Sequence, residues 1–115
     1  MKSYLKTTAG FVLSATMASV SHADVTIGEL QGFTGPLESM IGAMSGGANL
    51  AVTEANASGN YLQGTINVVQ GDSVCIDPAV AIAQAEKMIN DDNVMAIMGP
   101  NCSGNTGAVI TNVLV

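Results

Sequence analysis

The feature that most constrains this chain is a threefold alternation of strand-like and helix-like segments. Residues 25–30 alternate apolar with polar side chains, residues 65–70 are rich in β-branched side chains, and residues 94–98 form a continuous apolar run. A loop and then a helix-like stretch follow each run. This βαβαβα pattern predicts an α/β fold, a doubly wound parallel sheet with helices on both faces and strand order 2-1-3. The continuous run at 94–98 predicts a strand buried on both faces.

Helical periodicity defines the three segments between and after the strands. In the first, apolar residues recur at three- and four-residue steps from Ile41 to Ala55, and we expect Met44 and the small residues to pack on the sheet. Asp77 and Pro78 are suited to the cap and the first position of the second helix. A third helix is predicted from near Ser103. The expected buried stripe of the second helix is Val80, Ala81, Ala85, Met88 and Ile89.

The amino terminus has the layout of a secretory signal. Lys2 and Lys6 precede a mostly apolar stretch at 9–20, and the small residues Ser21 and Ala23 then stand at −3 and −1 of a cleavage site. The stretch is short and rich in hydroxyls for a membrane span. We therefore expect a signal peptide over residues 1–23, a mature part over residues 24–115, and a periplasmic location. The alternative is a poorly folded N-terminal helix.

Removal of residues 1–23 leaves an acidic chain without histidine. Of 3 basic and 9 acidic side chains in all, the mature part keeps only Lys87 and all nine acids, which is a net charge of −8. Such a surface disfavours nucleic-acid binding. Without His, the Ser/His and Cys/His nucleophile pairs and His-ligated zinc are excluded, so we expect no enzyme. The acids at 90–93 are interpreted as a solvated helix end, with a metal site as the alternative.

The two cysteines, Cys75 and Cys102, are interpreted in the light of export. In an oxidising compartment an even cysteine count indicates a disulfide. The bond would close a loop of about 27 residues. The alternative is a reactive thiol, which the absence of a neighbouring cation disfavours.

In a doubly wound sheet the ligand lies beyond the carboxyl ends of the central strands. This places a candidate site at two loops, residues 31–40 and 99–106. In the second loop the first N–H groups of a helix would lack intrahelical partners and, with the helix dipole, would suit a carboxylate. Ser103 would add its hydroxyl, or would only cap the helix. The N–H groups concerned are those of Gly104, Asn105 and Thr106.

These motifs together resemble the leucine/branched-chain amino-acid-type periplasmic solute-binding proteins of ABC transporters. The resemblance covers essentially all of residues 24–115. It rests on four segments: Ile27-Gly28 to Thr34-Gly35-Pro36-Leu37; Gly47-Ala48-x-Leu50-Ala51-Val52-x-Glu54-x-Asn56-Ala57-x-Gly59; Asp72 to Cys75 with Asp77-Pro78; and Gly99-Pro100-x-Cys102-Ser103-Gly104.

The resemblance implies that residues 24–115 are the first part of one lobe of a two-lobed binding protein. By position, Ser103 would hold the α-carboxylate of the ligand, with Gly104 beside it and Thr106 in support. Met40 lies where some members place an aromatic pocket wall. Cys75 and Cys102 match a disulfide found in some members.

The function that this resemblance implies is that of an extracytoplasmic solute-binding subunit. It would capture branched-chain amino acids or related amino-acid or amide ligands and deliver them to a membrane permease, by closure of two lobes and without a cofactor, a metal or nucleic acid. Two alternatives remain open. One is an exported ligand-sensing domain of a receptor, and the other is a carboxylate- or metal-dependent α/β enzyme, for which Glu29 and Glu38 are the nearest acids.

Overall fold

The computed structural model describes residues 23–61 and 64–114. The predicted signal peptide, apart from its last residue, lies outside the described residues. The chain alternates strand and helix as predicted. The elements are β1 (Val25–Gln31), α1 (Glu38–Ala57), β2 (Ile66–Asp72), α2 (Pro78–Asn90), β3 (Ala96–Met98) and α3 (Ser103–Val113).

The three strands form one parallel sheet with β1 in the centre. The order is β2-β1-β3, which confirms the predicted doubly wound arrangement. Val25 of β1 pairs with Ile66 of β2, and Gly28 of β1 pairs with Ile97 of β3. All three strands therefore end at one edge of the sheet, here called the carboxyl edge.

One face of the sheet carries the apolar core. Leu30 of β1 is fully buried there against Ala81, Ala85 and Met88 of α2 and Val109 of α3. The predicted stripe is confirmed for these three α2 residues, while Val80 and Ile89 are half-buried. Helix α2 begins as expected, because Asp77 Oδ1 accepts a hydrogen bond from the Ala79 N–H at 2.9 Å.

The opposite face of the sheet, toward α1, is polar at its centre. Glu29 is fully buried and accepts hydrogen bonds from Gln31 Nε2 at 2.7 Å, Gln70 Nε2 at 2.8 Å and Ser45 Oγ at 3.1 Å. The predicted apolar stripe of α1 is therefore wrong in part. Because the central strand presents a carboxylate, α1 buries a hydroxyl against it, and Met44 is left 45% exposed.

Strand β3 is less buried than the sequence predicts. Ala96 and Met98 are exposed and Ile97 is half-buried, so the expectation of a strand covered on both faces is wrong. The reason is its place at an edge, since β1 is its only strand neighbour among the described residues. Met95, just before β3, still donates its N–H to Thr26 O at 2.8 Å.

The end of α2 is held by an exposed ion pair. Lys87 lies in the last turn, where a cation suits the helix dipole, and its Nζ is 2.7 Å from Asp92 Oδ2. This contact raises the pKa of Lys87. Within the described ranges, no helix is long and apolar enough to cross a membrane.

The turn after β3 yields a test of the fold. A Cβ at Gly99, where φ is +117°, would collide with the carbonyl oxygen of Leu30, whereas a Cβ at Gly46 of α1 would meet nothing within 4 Å. We expect Gly99→Ala to lower the free energy of unfolding by about 2–4 kcal/mol through strain and clash. Gly46→Ala should instead raise it by about 0.5–1 kcal/mol. Urea unfolding of the two variants measures both effects, and equal stabilities would contradict the turn geometry.

Candidate functional site

Three loops meet at the carboxyl edge because the three strands are parallel. They connect β1 to α1 (residues 32–37), β2 to α2 (73–77) and β3 to α3 (99–102). The first and third of these loops belong to the two segments, residues 31–40 and 99–106, at which the sequence places the candidate site. Contacts between the loops fix their relative positions.

Asp72, the last residue of β2, holds the β1–α1 loop. Its Oδ2 accepts a hydrogen bond from the Thr34 hydroxyl at 2.6 Å, and its Oδ1 accepts the N–H groups of Thr34 at 3.3 Å and Val74 at 2.9 Å. Burial raises the pKa of the Asp72 carboxyl, but these hydrogen bonds and one from the Phe33 N–H outweigh it. The net effect lowers the pKa of Asp72 below 3.8.

The other two loops are joined covalently and by a buried amide. Cys75 and Cys102 form a disulfide, with Cα atoms 5.5 Å apart, which confirms that prediction over the reactive thiol. Asn105 of α3 is buried and donates from Nδ2 to Ser73 O at 2.8 Å. These ties hold Val74 and Cys75 in the left-handed region, at φ of +49° and +70°.

The first turn of α3 presents free donors at the carboxyl edge. Ser103 is the first helical residue and is exposed, and the preceding cap residue, Cys102, forms no side-chain cap. The Ser103 hydroxyl has no hydrogen-bond partner among the described residues, so the plain-cap interpretation is wrong. The N–H groups of Ser103, Gly104 and Asn105 likewise have no partner within the described part of the chain.

The hydrogen bonds of Thr106 differ from those predicted. Its N–H donates to Cys102 O at 2.8 Å, so the expectation of a free N–H there is wrong. The reason is that the helix has already completed one turn at this residue. Its hydroxyl donates to Pro100 O at 2.7 Å and Cys102 O at 3.0 Å. Thr106 therefore supports the loop that carries Ser103.

The remaining candidates divide into exposed and buried groups. Met40, in the first turn of α1, is 58% exposed, and Glu38 is an exposed acid in the same turn. Glu29 is buried with its carboxylate held by hydrogen-bond donors. In residues 23–61 and 64–114, no group of three or more His, Cys, Asp or Glu side chains lies close enough together to hold a metal ion.

A cavity of about 320 Å³ that the sequence did not predict is lined by residues of β1, α1, β3 and the β3–α3 loop. Gln31, at the end of β1, and Asn101, in the β3–α3 loop, contribute its polar groups. Asn101 also joins two loops, because its Oδ1 accepts the Gly32 N–H at 3.1 Å. The other lining residues are Met44, Ala48, Met98 and Gly99.

Comparison with known proteins relates the whole described region to one family. A family model described as periplasmic binding protein matches residues 24–114. A Leu/Ile/Val-binding protein homolog 7 of Brucella abortus is 36% identical over 91 residues, which cover 79% of this chain and 22% of the relative. The Leu/Ile/Val-binding protein BraC3 of Rhizobium johnstonii is 34% identical over 101 residues, which cover 87% of this chain and 27% of the relative.

A solved structure agrees in fold and in sequence. The branched-chain amino acid transporter substrate binding protein LivJ of Streptococcus pneumoniae, in complex with isoleucine, superposes with a TM-score of 0.72 at 32% identity. The match covers 80% of this chain and 26% of that one. The chain thus spans about a quarter of the length of the relatives that it matches.

The hydrogen bonds at Asp72 predict a pH dependence of stability. Because folding lowers the pKa of this carboxyl, its contribution is present above the unfolded value near 3.8 and is lost as the pH falls through the folded value. Asp72→Asn should destabilise the protein at pH 7, and the difference from wild type should shrink below about pH 4. Urea unfolding across pH 2.5–7 measures it. The matched variant Asp91→Asn, at an exposed side chain, should show neither effect; a constant Asp72→Asn deficit at all pH values would contradict the argument.

Reduction of the disulfide between Cys75 and Cys102 tests how much this bond stabilises the fold. The disulfide closes a loop with a sequence separation of 27. Its loss should lower the free energy of unfolding by about 3–4 kcal/mol. Chemical unfolding with and without dithiothreitol measures this loss. A Cys75→Ala/Cys102→Ala variant should be as unstable as the reduced protein and insensitive to dithiothreitol; sensitivity in that variant would show that the reductant acts elsewhere.

Proposed function

The chain belongs to the periplasmic binding protein family, and on that premise we propose that it forms the ligand-binding edge of one lobe of a solute-binding protein. The solute is a branched-chain amino acid or a related amino-acid or amide ligand, and the protein delivers it to an ABC transporter permease. The relatives named above support this assignment. The substrate, the permease and the second lobe belong to the proposal, since the match covers about a quarter of those relatives.

The observation that carries the proposal is the free first turn of α3. The exposed Ser103 hydroxyl and the N–H groups of Ser103, Gly104 and Asn105 stand at the carboxyl edge without partners among the described residues. A helix N-terminus with free N–H groups stabilises a negative group through hydrogen bonds and the helix dipole. The α-carboxylate of an amino acid fits this set of donors. Gly104 leaves room for it, because a Cβ there would meet nothing within 4 Å.

The mechanism that we infer is capture without chemistry. The loops tied through Asp72, Asn101 and the disulfide form a rigid half-site, and closure of a second lobe over the bound solute would bury it. Met40, exposed beside this edge, would contribute an apolar wall. The two acids considered for catalysis favour binding instead, because Glu29 is buried and engaged by three donors while Glu38 is exposed in a helix turn.

Export belongs to the same proposal. A signal peptide over residues 1–23 would place the protein in the periplasm, where the disulfide between Cys75 and Cys102 is stable. The net charge of −8 beyond that segment, with Lys87 the one cation there, fits a small solute held by neutral donors.

Ser103→Ala tests the carboxylate site in the full-length gene product. We expect the affinity for the amino acid to fall about ten- to a hundredfold, because one hydrogen bond to a charged group is lost. Isothermal titration with leucine, isoleucine and valine measures it. The control is Ser58→Ala, at the far end of α1, which should bind as wild type. Unchanged affinity of Ser103→Ala would show that this hydroxyl does not bind the ligand.

A further inference from the structure

Two amide side chains on the wall of this cavity, those of Gln31 and Asn101, each have one buried atom without a hydrogen-bond partner among the described residues. Gln31 is 4% exposed, and its Oε1 has no hydrogen bond within the described part of the chain. The same holds for Nδ2 of Asn101. Both residues line the cavity of about 320 Å³. Buried polar atoms are usually paired, so an unpaired acceptor and an unpaired donor on two residues that line one cavity call for an explanation.

The contacts of each amide fix which atom is free. Gln31 Nε2 donates to Glu29 Oε1 at 2.7 Å, and since a carboxylate only accepts, the nitrogen must face Glu29 and the oxygen must be the free atom. Asn101 Oδ1 accepts the Gly32 N–H at 3.1 Å, and since a backbone N–H only donates, the free atom of Asn101 is the nitrogen. The free acceptor and free donor are therefore not interchangeable.

The two amides are held close to each other. Gly32 directly follows Gln31, so the hydrogen bond from Gly32 to Asn101 joins the loop after Gln31 to the loop that carries Asn101. The rest of the wall is mainly apolar, and Met44 and Met98 provide flexible side chains that can adapt to an occupant. The cavity thus combines one acceptor and one donor with an apolar surround.

Glu29 strengthens the free acceptor, Gln31 Oε1, through the hydrogen bond that it receives from the same amide. It is fully buried, and its second oxygen accepts hydrogen bonds from Ser45 and Gln70. A hydrogen bond to a charged partner polarises the amide that donates it, so the carbonyl of Gln31 becomes a stronger acceptor. The same charge disfavours an anionic group in the cavity.

We propose that Gln31 and Asn101 determine specificity by binding a solute side chain that ends in a primary amide. The N–H of such an amide would pair with Gln31 Oε1, and its carbonyl would pair with Asn101 Nδ2. A hydrocarbon side chain of the same shape leaves both atoms unpaired, and a carboxylate meets the wrong charge. This inference rests on the proposed function, because the α-carboxylate of the same solute is placed at the first turn of α3.

Three amino acids with the same branched skeleton test the inference: L-asparagine, L-leucine and L-aspartate. Isothermal titration of the full-length gene product should show asparagine binding about tenfold or more tightly than either of the others.

Asn101→Asp keeps the oxygen that accepts the Gly32 N–H and replaces the free donor with an acceptor. It should lower the affinity for asparagine about tenfold or more and leave that for leucine within about twofold. Asn67→Asp, at an exposed position of β2, is the charge-matched control and should bind as wild type.

The possible outcomes separate the two proposals. If leucine binds as tightly as asparagine or more tightly, the amide specificity is overturned while the proposed function stands. If Asn101→Asp lowers the affinities for asparagine and leucine equally at unchanged thermal stability, Asn101 positions the loop and does not contact the solute side chain. The inference is then again overturned. If none of the three amino acids binds, and isoleucine and valine do not bind either, the proposed function itself fails.

Discussion

The parallel pairing of β1 between β2 and β3 is the constraint on which the rest of the structure depends. Because all three strands run in one direction, their carboxyl ends and the loops that follow them meet at one edge of the sheet. Residues far apart in the chain then become neighbours. Asp72 reaches Thr34, Gly32 reaches Asn101, and Cys75 reaches Cys102. An antiparallel pairing of the same strands would send successive loops to opposite ends and would leave no such edge.

The two faces of the central strand have opposite chemical requirements. Toward α2 and α3, Leu30 is packed in an apolar core that hydrophobic burial stabilises. Toward α1, Glu29 is buried as an acid, which is tolerated only because several donors pair with its oxygens. The same carboxylate determines the orientation of Gln31 at the carboxyl edge. A residue inside the sheet thereby influences the chemistry of the cavity.

The local sequence pattern was sufficient to predict the fold, but it did not predict correctly which faces of α1 and β3 are buried. The β-branched runs and helical spacing predicted six elements and the strand order, since these depend on short-range periodicity and on the rules for parallel connections. The burial of α1 was predicted incorrectly, because the sequence does not show that Ser45 lies opposite Glu29. The exposure of β3 follows from its position at the edge of the sheet, which an apolar run does not reveal.

The candidate site was predicted where it depends on one segment and missed where it depends on several. Ser103 at the start of α3 follows from the loop-to-helix transition alone. Asn101 and Gln31 lie 70 positions apart, and only the parallel register brings them to one cavity. A signal was present in the polar residues at alternate positions of β1, Glu29 and Gln31, which a strand of period two must place on the same face.

The loops at the carboxyl edge are held in place by contacts within the chain itself. A disulfide and hydrogen bonds restrain the β1–α1, β2–α2 and β3–α3 loops, so the proposed ligand binding would need little further ordering of this half of the site. Thr106 adds to this restraint, because its hydroxyl bonds hold the loop in front of Ser103. The free donors are therefore held in place at low entropic cost on binding. Under the proposed function, a preformed half-site of this kind would favour recognition by complementarity and would leave conformational change to the closure of a second lobe over it.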